Sequence, residues 1–221
     1  MMKKRSVFTF LCSLFICFAG FAGFSTREQL QTPYQTITVS STTDTFISEE
    51  FPTTNYHTNT SLVVGLDGSG LERHILLQFG GLDVPVGAEI LDATITINRI
   101  INYDDPETAD AQSPDAFAFY PVSSTNGWNA GLVNWNNYAH NDQYFGDPDA
   151  TINFATVEVE VTGIIQAWAD ETVVPRGIVL RPRAGDTGSI PLISRDAGPA
   201  AQLVINYVIP TNTPTATNTA T

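Results

Sequence analysis

In LDATITI, residues 91–97, every second residue is apolar. Leu91, Ala93, Ile95 and Ile97 fall on one side of an extended chain, and Asp92, Thr94 and Thr96 on the other. A side-chain period of two is the signature of a strand with one buried face and one wet face. The pattern recurs in VEVEV (157–161), where valines alternate with Glu158 and Glu160, and in LVINY (203–207), with Leu203, Ile205 and Tyr207 on one face. Further strands are expected at TITV (36–39), DTFI (44–47), SLVVG (61–65), HILLQF (74–79), AFAFYPV (116–122), GIVLR (177–181) and PLISR (191–195). About ten short strands broken by Gly, Pro, Asn and Asp point to an all-β chain, folded as an antiparallel sandwich or barrel. One segment breaks the period. In VTGIIQAWADE, Thr162 can cap a short helix whose Ile164, Ile165 and Trp168 share a face, which makes Trp168 a plug of the core.

The ends are different material. Lys3, Lys4 and Arg5 precede the apolar run VFTFLCSLFICFAGFAGF, and Gly20, Ala22, Gly23 and Ser25 offer small residues for cleavage. Residues 1–25 are therefore expected to be a signal peptide, with the rest of the chain secreted. An uncleaved anchor competes, because residues 7–24 approach the shortest length that spans a bilayer. Both cysteines, both methionines and both lysines lie in this leader, so the mature chain has no disulfide and depends on its core. Losing three basic residues takes the formal charge from −13 to −16. So acidic a surface argues against nucleic acid as a partner and against membrane insertion of the mature domain. PTNTPTATNTAT, residues 210–221, is half threonine and has no large apolar side chain. Residues 209–221 are expected to be a Thr/Pro-rich disordered linker, leaving residues 34–208 as the folded unit.

Several stretches of that unit occur in a telling order: DTFISEEFPTTNYHTNTSLVVG, RHILLQFGGLDVPVGAEILDATITI, Trp128 followed by VNWNN, VEVTGIIQAW, RGIVLRP, ISRD and AQLVINY. This succession resembles the DNRLRE domain, also classified as carbohydrate-binding module family 96, over residues 36–208. The resemblance implies a jelly-roll-like antiparallel β-sandwich with one short helix, carried on secreted or cell-surface proteins. It also implies a polysaccharide ligand, alginate among those of its members. Two positions depart from the family's habit: Gly80 stands after Phe79 where an Asp is usual, and Glu160 replaces another Asp. The loop after Asn137 is also longer than the family leads one to expect.

Candidate carbohydrate-binding residues come first from the aromatics. GWNAGLVNWNNYAH, residues 127–140, sets Trp128 and Trp135 among asparagines and glycines. Indoles stack on sugar faces, but both positions recur in the family's framework, and they can equally pin the loop to a core. Tyr138, Tyr144 and Tyr103 lie outside any strand pattern and are better placed for an exposed platform. Arg73, Arg181 and Arg195 match positions that the family tends to keep basic. A guanidinium can clamp a uronate carboxylate through paired hydrogen bonds, or be used up internally, as in a pair of Arg195 with Asp44 or Asp196.

Calcium is a possible cofactor. In NDQYFGDPD, Asp142, Asp147 and Asp149 supply hard oxygens in a loop that Gly146 and Pro148 can fold back, although solvated turn acids compete with this reading. His57, His74 and His140 lack metal-protease spacing, and the chain has neither a GxSxG elbow nor, after the leader, a thiol. The expected function is non-catalytic binding of a polysaccharide. The alternatives are a structural or adhesion domain contacting cell-surface proteins and, with least support, a polysaccharide lyase or hydrolase.

Overall fold

A computed structural model describes residues 34–100, 118–185 and 188–210. In chain order its elements are β1 (Tyr34–Ser48), β2 (Ser61–Leu66), β3 (Glu72–Phe79), β4 (Glu89–Asn98), β5 (Phe119–Ser123), β6 (Thr151–Ile152), β7 (Thr156–Glu160), α1 (Thr162–Ala169), β8 (Ile178–Pro182), β9 (Ser189–Ile193) and β10 (Gln202–Val208). All pairings are antiparallel. One layer runs β1–β10–β4–β7–β6. The other runs β5–β8–β3–β1, with β2 joined to β3 and β9 to β2. The expected all-β sandwich with one short helix is the fold found.

TITV and DTFI are one strand serving both layers. Its first half, through Ser40, pairs with β10, and its second half pairs with β3. Ser41 lies opposite Phe79 and Thr43 opposite Gln78, which leaves Thr42 as an extra residue. That bulge changes the parity of the strand: Ile37 and Val39 pack on the core before it, Phe46 after it. Gly80 explains itself here. A Cβ on Gly80 would meet Thr42 Cγ2 at 2.9 Å, so the residue facing the bulge is kept small.

A second bulge corrects the reading of LDATITI. Tyr207 pairs with Ile90 and Asn206 with Asp92, so Leu91 is skipped. Ile90 is buried and Leu91 is 46% exposed, while Ala93, Ile95 and Ile97 point inward as expected.

The main core lies between the layers. Phe46, Ile75, Leu77, Phe119, Ile178 and Leu180 face Ile95, Ile97, Val157, Val159, Leu203 and Ile205. Each such side chain contributes roughly 1.5–3 kcal/mol on burial, in a domain without a covalent cross-link. Helix α1 closes one side with Ile164, Ile165 and Ala169. Trp168 sits at the margin of this core, half-buried, and its indole N–H donates to Ser123 Oγ at 3.1 Å.

The helix start also differs from expectation. The N-cap position is Val161, which makes no side-chain cap, and Thr162 Oγ1 instead accepts from the Ala93 amide at 3.0 Å. The cap comes from another segment. Asp147 Oδ1 accepts from the Gly163 amide at 2.6 Å and Oδ2 from the Ile164 amide at 3.1 Å. A carboxylate there satisfies two donors that a helix start leaves open. Gly163 permits the approach, since a Cβ would lie 2.8 Å from the Phe145 carbonyl and 3.1 Å from Asp147 Oδ1.

Asp147→Ala is expected to cost about 1–2 kcal/mol, the scale of a lost cap, and to lower the melting midpoint by a few degrees. Gly163→Ala should destabilise comparably although it deletes no contact. Thermal melts of both variants followed by circular dichroism check this; an unchanged midpoint for Gly163→Ala would contradict the geometry.

Candidate functional site

Beyond β5 the chain does not return directly to the sheet. Residues 124–150 spread over the outward face of β1, β3, β8 and β5. Ile47, Leu76, Val122 and Val179 point away from the main core, yet they are buried beneath Val133 and Tyr138, with Tyr120, Trp128 and Trp135 packed around them. Two covered faces account for the uninterrupted apolar runs in HILLQF and GIVLR, which lack the alternation of the other strands. The canopy is tied down by Asn55, whose Nδ2 donates to the carbonyls of Ala130 (2.6 Å) and Val133 (2.7 Å), and by a bridge between Ser123 and Gln143.

Trp128 and Trp135 are therefore half-buried members of a small second core. Trp135 lies against His74, with ring centroids 4.9 Å apart, and against His140 at 4.4 Å. Trp128 leans over Gly177, where a Cβ would come within 3.1 Å of its indole nitrogen. Tyr138 is 5% exposed, which overturns its reading as an exposed platform: its ring is needed to fill the space under the canopy. Tyr103 lies outside the described residues.

Beneath the canopy is a polar knot. His74, fully buried, meets Glu72 at 2.6 Å. Arg181 stands 3.9 Å from both Glu72 and Asp142. Tyr138 donates its hydroxyl to Asp142 Oδ1, and Ser124 Oγ lies 3.0 Å from the same hydroxyl. Burial pushes the Asp142 carboxyl above its ordinary range, and burial with the adjacent Asp142 charge pushes the Tyr138 hydroxyl up. Burial also pushes the His74 imidazole down, while the His74 hydrogen bond holds Glu72 low.

The three arginines do not converge. Arg73 pairs with Glu50 at 2.6 Å. Arg181 belongs to the knot. Arg195 donates its guanidinium to the Thr42 carbonyl, while its backbone N–H, rather than the guanidinium, donates to Asp44 Oδ2 at 2.9 Å. The three acids proposed for calcium are likewise apart in their work: Asp142 bonds Tyr138, Asp147 caps α1, and Asp149 pairs with Arg183. Among the described residues no group of three or more His, Cys, Asp or Glu side chains is arranged to hold a metal.

The solvent-facing hollows among the described residues include one beside α1 and one beside β5. One is an apolar groove of about 290 Å³ between Leu82, Val84 and Val86 on one bank and Val173, Val174 and Pro175 on the other, with Trp168 in its wall. The other is a shallow recess of about 310 Å³ bounded by Tyr120, Tyr144, Asp149 and Arg183. Tyr144 is 55% exposed, and its hydroxyl donates to the Asp147 carbonyl at 2.8 Å, which fixes the ring. Tyr120 meets it edge-on, with centroids 5.6 Å apart and planes at 82°. Sequence reasoning singled out Tyr144 and Asp149 but missed Tyr120 and Arg183. The signal was the alternation in AFAFYPV, which turns Phe119 inward and Tyr120 outward. What places Arg183 beside it is the β5–β8 register, in which Tyr120 faces Arg181.

With this geometry in place, the comparison with known families is direct: residues 35–207 match carbohydrate-binding module family 96, and the chain belongs to that family. No curated protein matches the chain significantly. Membership makes carbohydrate the class of ligand. Among the described residues no helix is long and apolar enough to cross a membrane.

The knot has a measurable consequence. Unfolded His74 takes up a proton as the pH falls through about 6.5, whereas folded His74, with its lowered value, does not. Its contribution to stability is complete above that pH and is lost as the pH falls from there towards the folded value. The melting midpoint should therefore drop between pH 7 and pH 5.5, and His74→Gln should flatten that drop; equal slopes for the two proteins would contradict the assignment.

Proposed function

We propose that this chain is an exported, non-catalytic module that holds a polysaccharide at its surface. The observation that carries this reading is the family match, which spans the whole folded unit rather than a fragment of it. Several further facts support it. The acids best shielded from water, Asp44, Asp142 and Asp147, are each engaged within the fold, with Ser194, Tyr138 and the α1 amides. Glu158 and Glu160 lie on the wet face of β7 and line neither the groove nor the recess described above. Tyr144, its hydroxyl held by the Asp147 carbonyl, presents a fixed and exposed ring, which suits a sugar surface. Residues 1–25 act as the export signal and residues 209–221 as a tether. Shallow binding gives modest affinity, which display in several copies raises.

A second reading, adhesion to cell-surface proteins, is favoured by the apolar groove, on whose banks Val86 is 68% and Val174 60% exposed.

Affinity electrophoresis in gels cast with soluble polysaccharides, together with pull-downs on insoluble ones, tests the first reading. Retardation or retention on at least one glycan is expected, with no new reducing ends released after long incubation. No retention on any of them would reject it, and steady release of reducing ends would replace it with an enzyme. Amino-terminal sequencing of the exported protein should find a start near residue 26.

A further inference from the structure

Leu82, Trp168 and Pro175 line the apolar groove and also a second hollow, of about 330 Å³, so the two form one furrow that shares the Trp168 wall. The second hollow differs in chemistry. It lies between the end of β3, the connection from α1 to β8 and the start of the lid, and Thr42, Gln78 and Arg176 line it. We infer that this hollow is a subsite for an acidic sugar residue, whose carboxylate or sulfate is taken by Arg176 beside the Trp168 wall. The inference rests on the polysaccharide-binding reading and specifies where the glycan lies and which of its groups is held.

Arg176 differs from the other arginines. Arg73, Arg181 and Arg183 pair with carboxylates, and Arg99 and Arg195 donate to backbone carbonyls. The Arg176 guanidinium has no partner among the described residues, and it is not left at large. It reaches the lid where the lid is bare: a Cβ on Gly127 would come within 3.2 Å of Arg176 Nη1. Among the described residues no carboxylate lines this hollow, and Glu171 lines only the apolar half of the furrow. A free guanidinium offers two parallel N–H groups to one carboxylate or sulfate. Neutral and acidic rings carry similar hydroxyls, so it is the anion that Arg176 tells apart. The chain's formal charge of −13 opposes a polyanion at a distance. Charges beyond about 10 Å are screened at about 0.1 M salt, however, and the lining without acids then decides the contact.

The neighbouring groups suit a sugar. The Trp168 indole N–H is pinned to Ser123 Oγ at 3.1 Å, which makes its ring a fixed wall. Gln78 Nε2 donates to the Trp128 carbonyl at 3.2 Å, which leaves Oε1 to accept from a ring hydroxyl. Gly80 and Gly177 leave room for the ring. A Cβ would meet Thr42 Cγ2 at 2.9 Å at the first and the Leu77 carbonyl at 2.7 Å at the second. Past Trp168, the apolar half takes the C–H face of the next ring.

Affinity gels cast with alginate or polygalacturonate (carboxylated), carrageenan (sulfated) and galactomannan (neutral) compare the wild-type protein with Arg176→Gln and Arg176→Lys. Arg183→Gln is the control, because it removes the same charge from the surface elsewhere. Thermal melts confirm that each variant is folded. Wild type should bind at least one acidic chain, and the gel that retards it more identifies the anion. Arg176→Gln should weaken that binding about tenfold, and Arg176→Lys, which keeps the charge without the fork, should weaken it less. Arg183→Gln should change it less than about twofold, as should every variant on galactomannan.

The subsite falls if wild type binds the neutral chain alone, if Arg176→Gln binds acidic chains undiminished, if Arg176→Lys loses as much as Arg176→Gln, or if Arg183→Gln loses as much. Those failures leave the polysaccharide-binding reading intact. Only wild type ignoring every glycan would bring down both.

Discussion

Leu76 and Val179 point away from the main core of the sandwich and are nonetheless fully buried. Everything distinctive about the molecule depends on covering them. A single-sided sheet would have left their face wet, and polar residues would alternate along β3 and β8. Here Ile75–Leu77 of β3 and Ile178–Leu180 of β8 are apolar on both sides, and residues 124–150 form a lid over four strands. The lid recruits Val133 and Tyr138 as fillers and Trp128 and Trp135 as clamps. Its last turn then delivers Asp147 to the start of α1, joining lid, helix and main core into one unit. A folded unit that contains no cysteine gains its coherence this way, through burial on both faces of one layer.

The lid also carries a cost that its polar knot answers. Backbone and side-chain polar groups under an apolar cover must find partners there. Glu72, His74, Arg181, Tyr138, Asp142 and Ser124 do so largely among themselves. Such a cluster has the composition of an active site, with a histidine, two carboxylates and a tyrosine. Arg181 of β8 reaches Asp142 of the lid at 3.9 Å, which ties lid and sheet together. Removing Glu72 or Tyr138 deprives His74 or Asp142, whose side chains are 0% and 1% exposed, of a partner, which costs about 1–3 kcal/mol per group.

The lid also sets which rings stay uncovered. Trp128, Trp135 and Tyr120 pack half-buried against the second core, while Tyr144 is 55% exposed. Tyr120 comes from a strand and Tyr144 from the end of the lid, and the geometry between them exists only because the lid returns past β5.

The sequence by itself determined the strands, through alternation in VEVEV and LVINY, and the helix, through the break in that alternation. It also carried the family, because seven ordinary segments stand in one order. Only tertiary structure decided the rest. Thr42 and Leu91 bulge out because two layers and a neighbouring strand must be matched in register, which local alternation does not encode. The cap of α1 comes from Asp147 rather than Thr162, because a lid sixteen residues earlier in the chain reaches the helix first. Tyr138 is buried and Tyr120 is not, since burial is decided by what a distant segment lays on top. A side-chain period is a property of a few consecutive residues. A site is made by segments that meet only when the chain has folded.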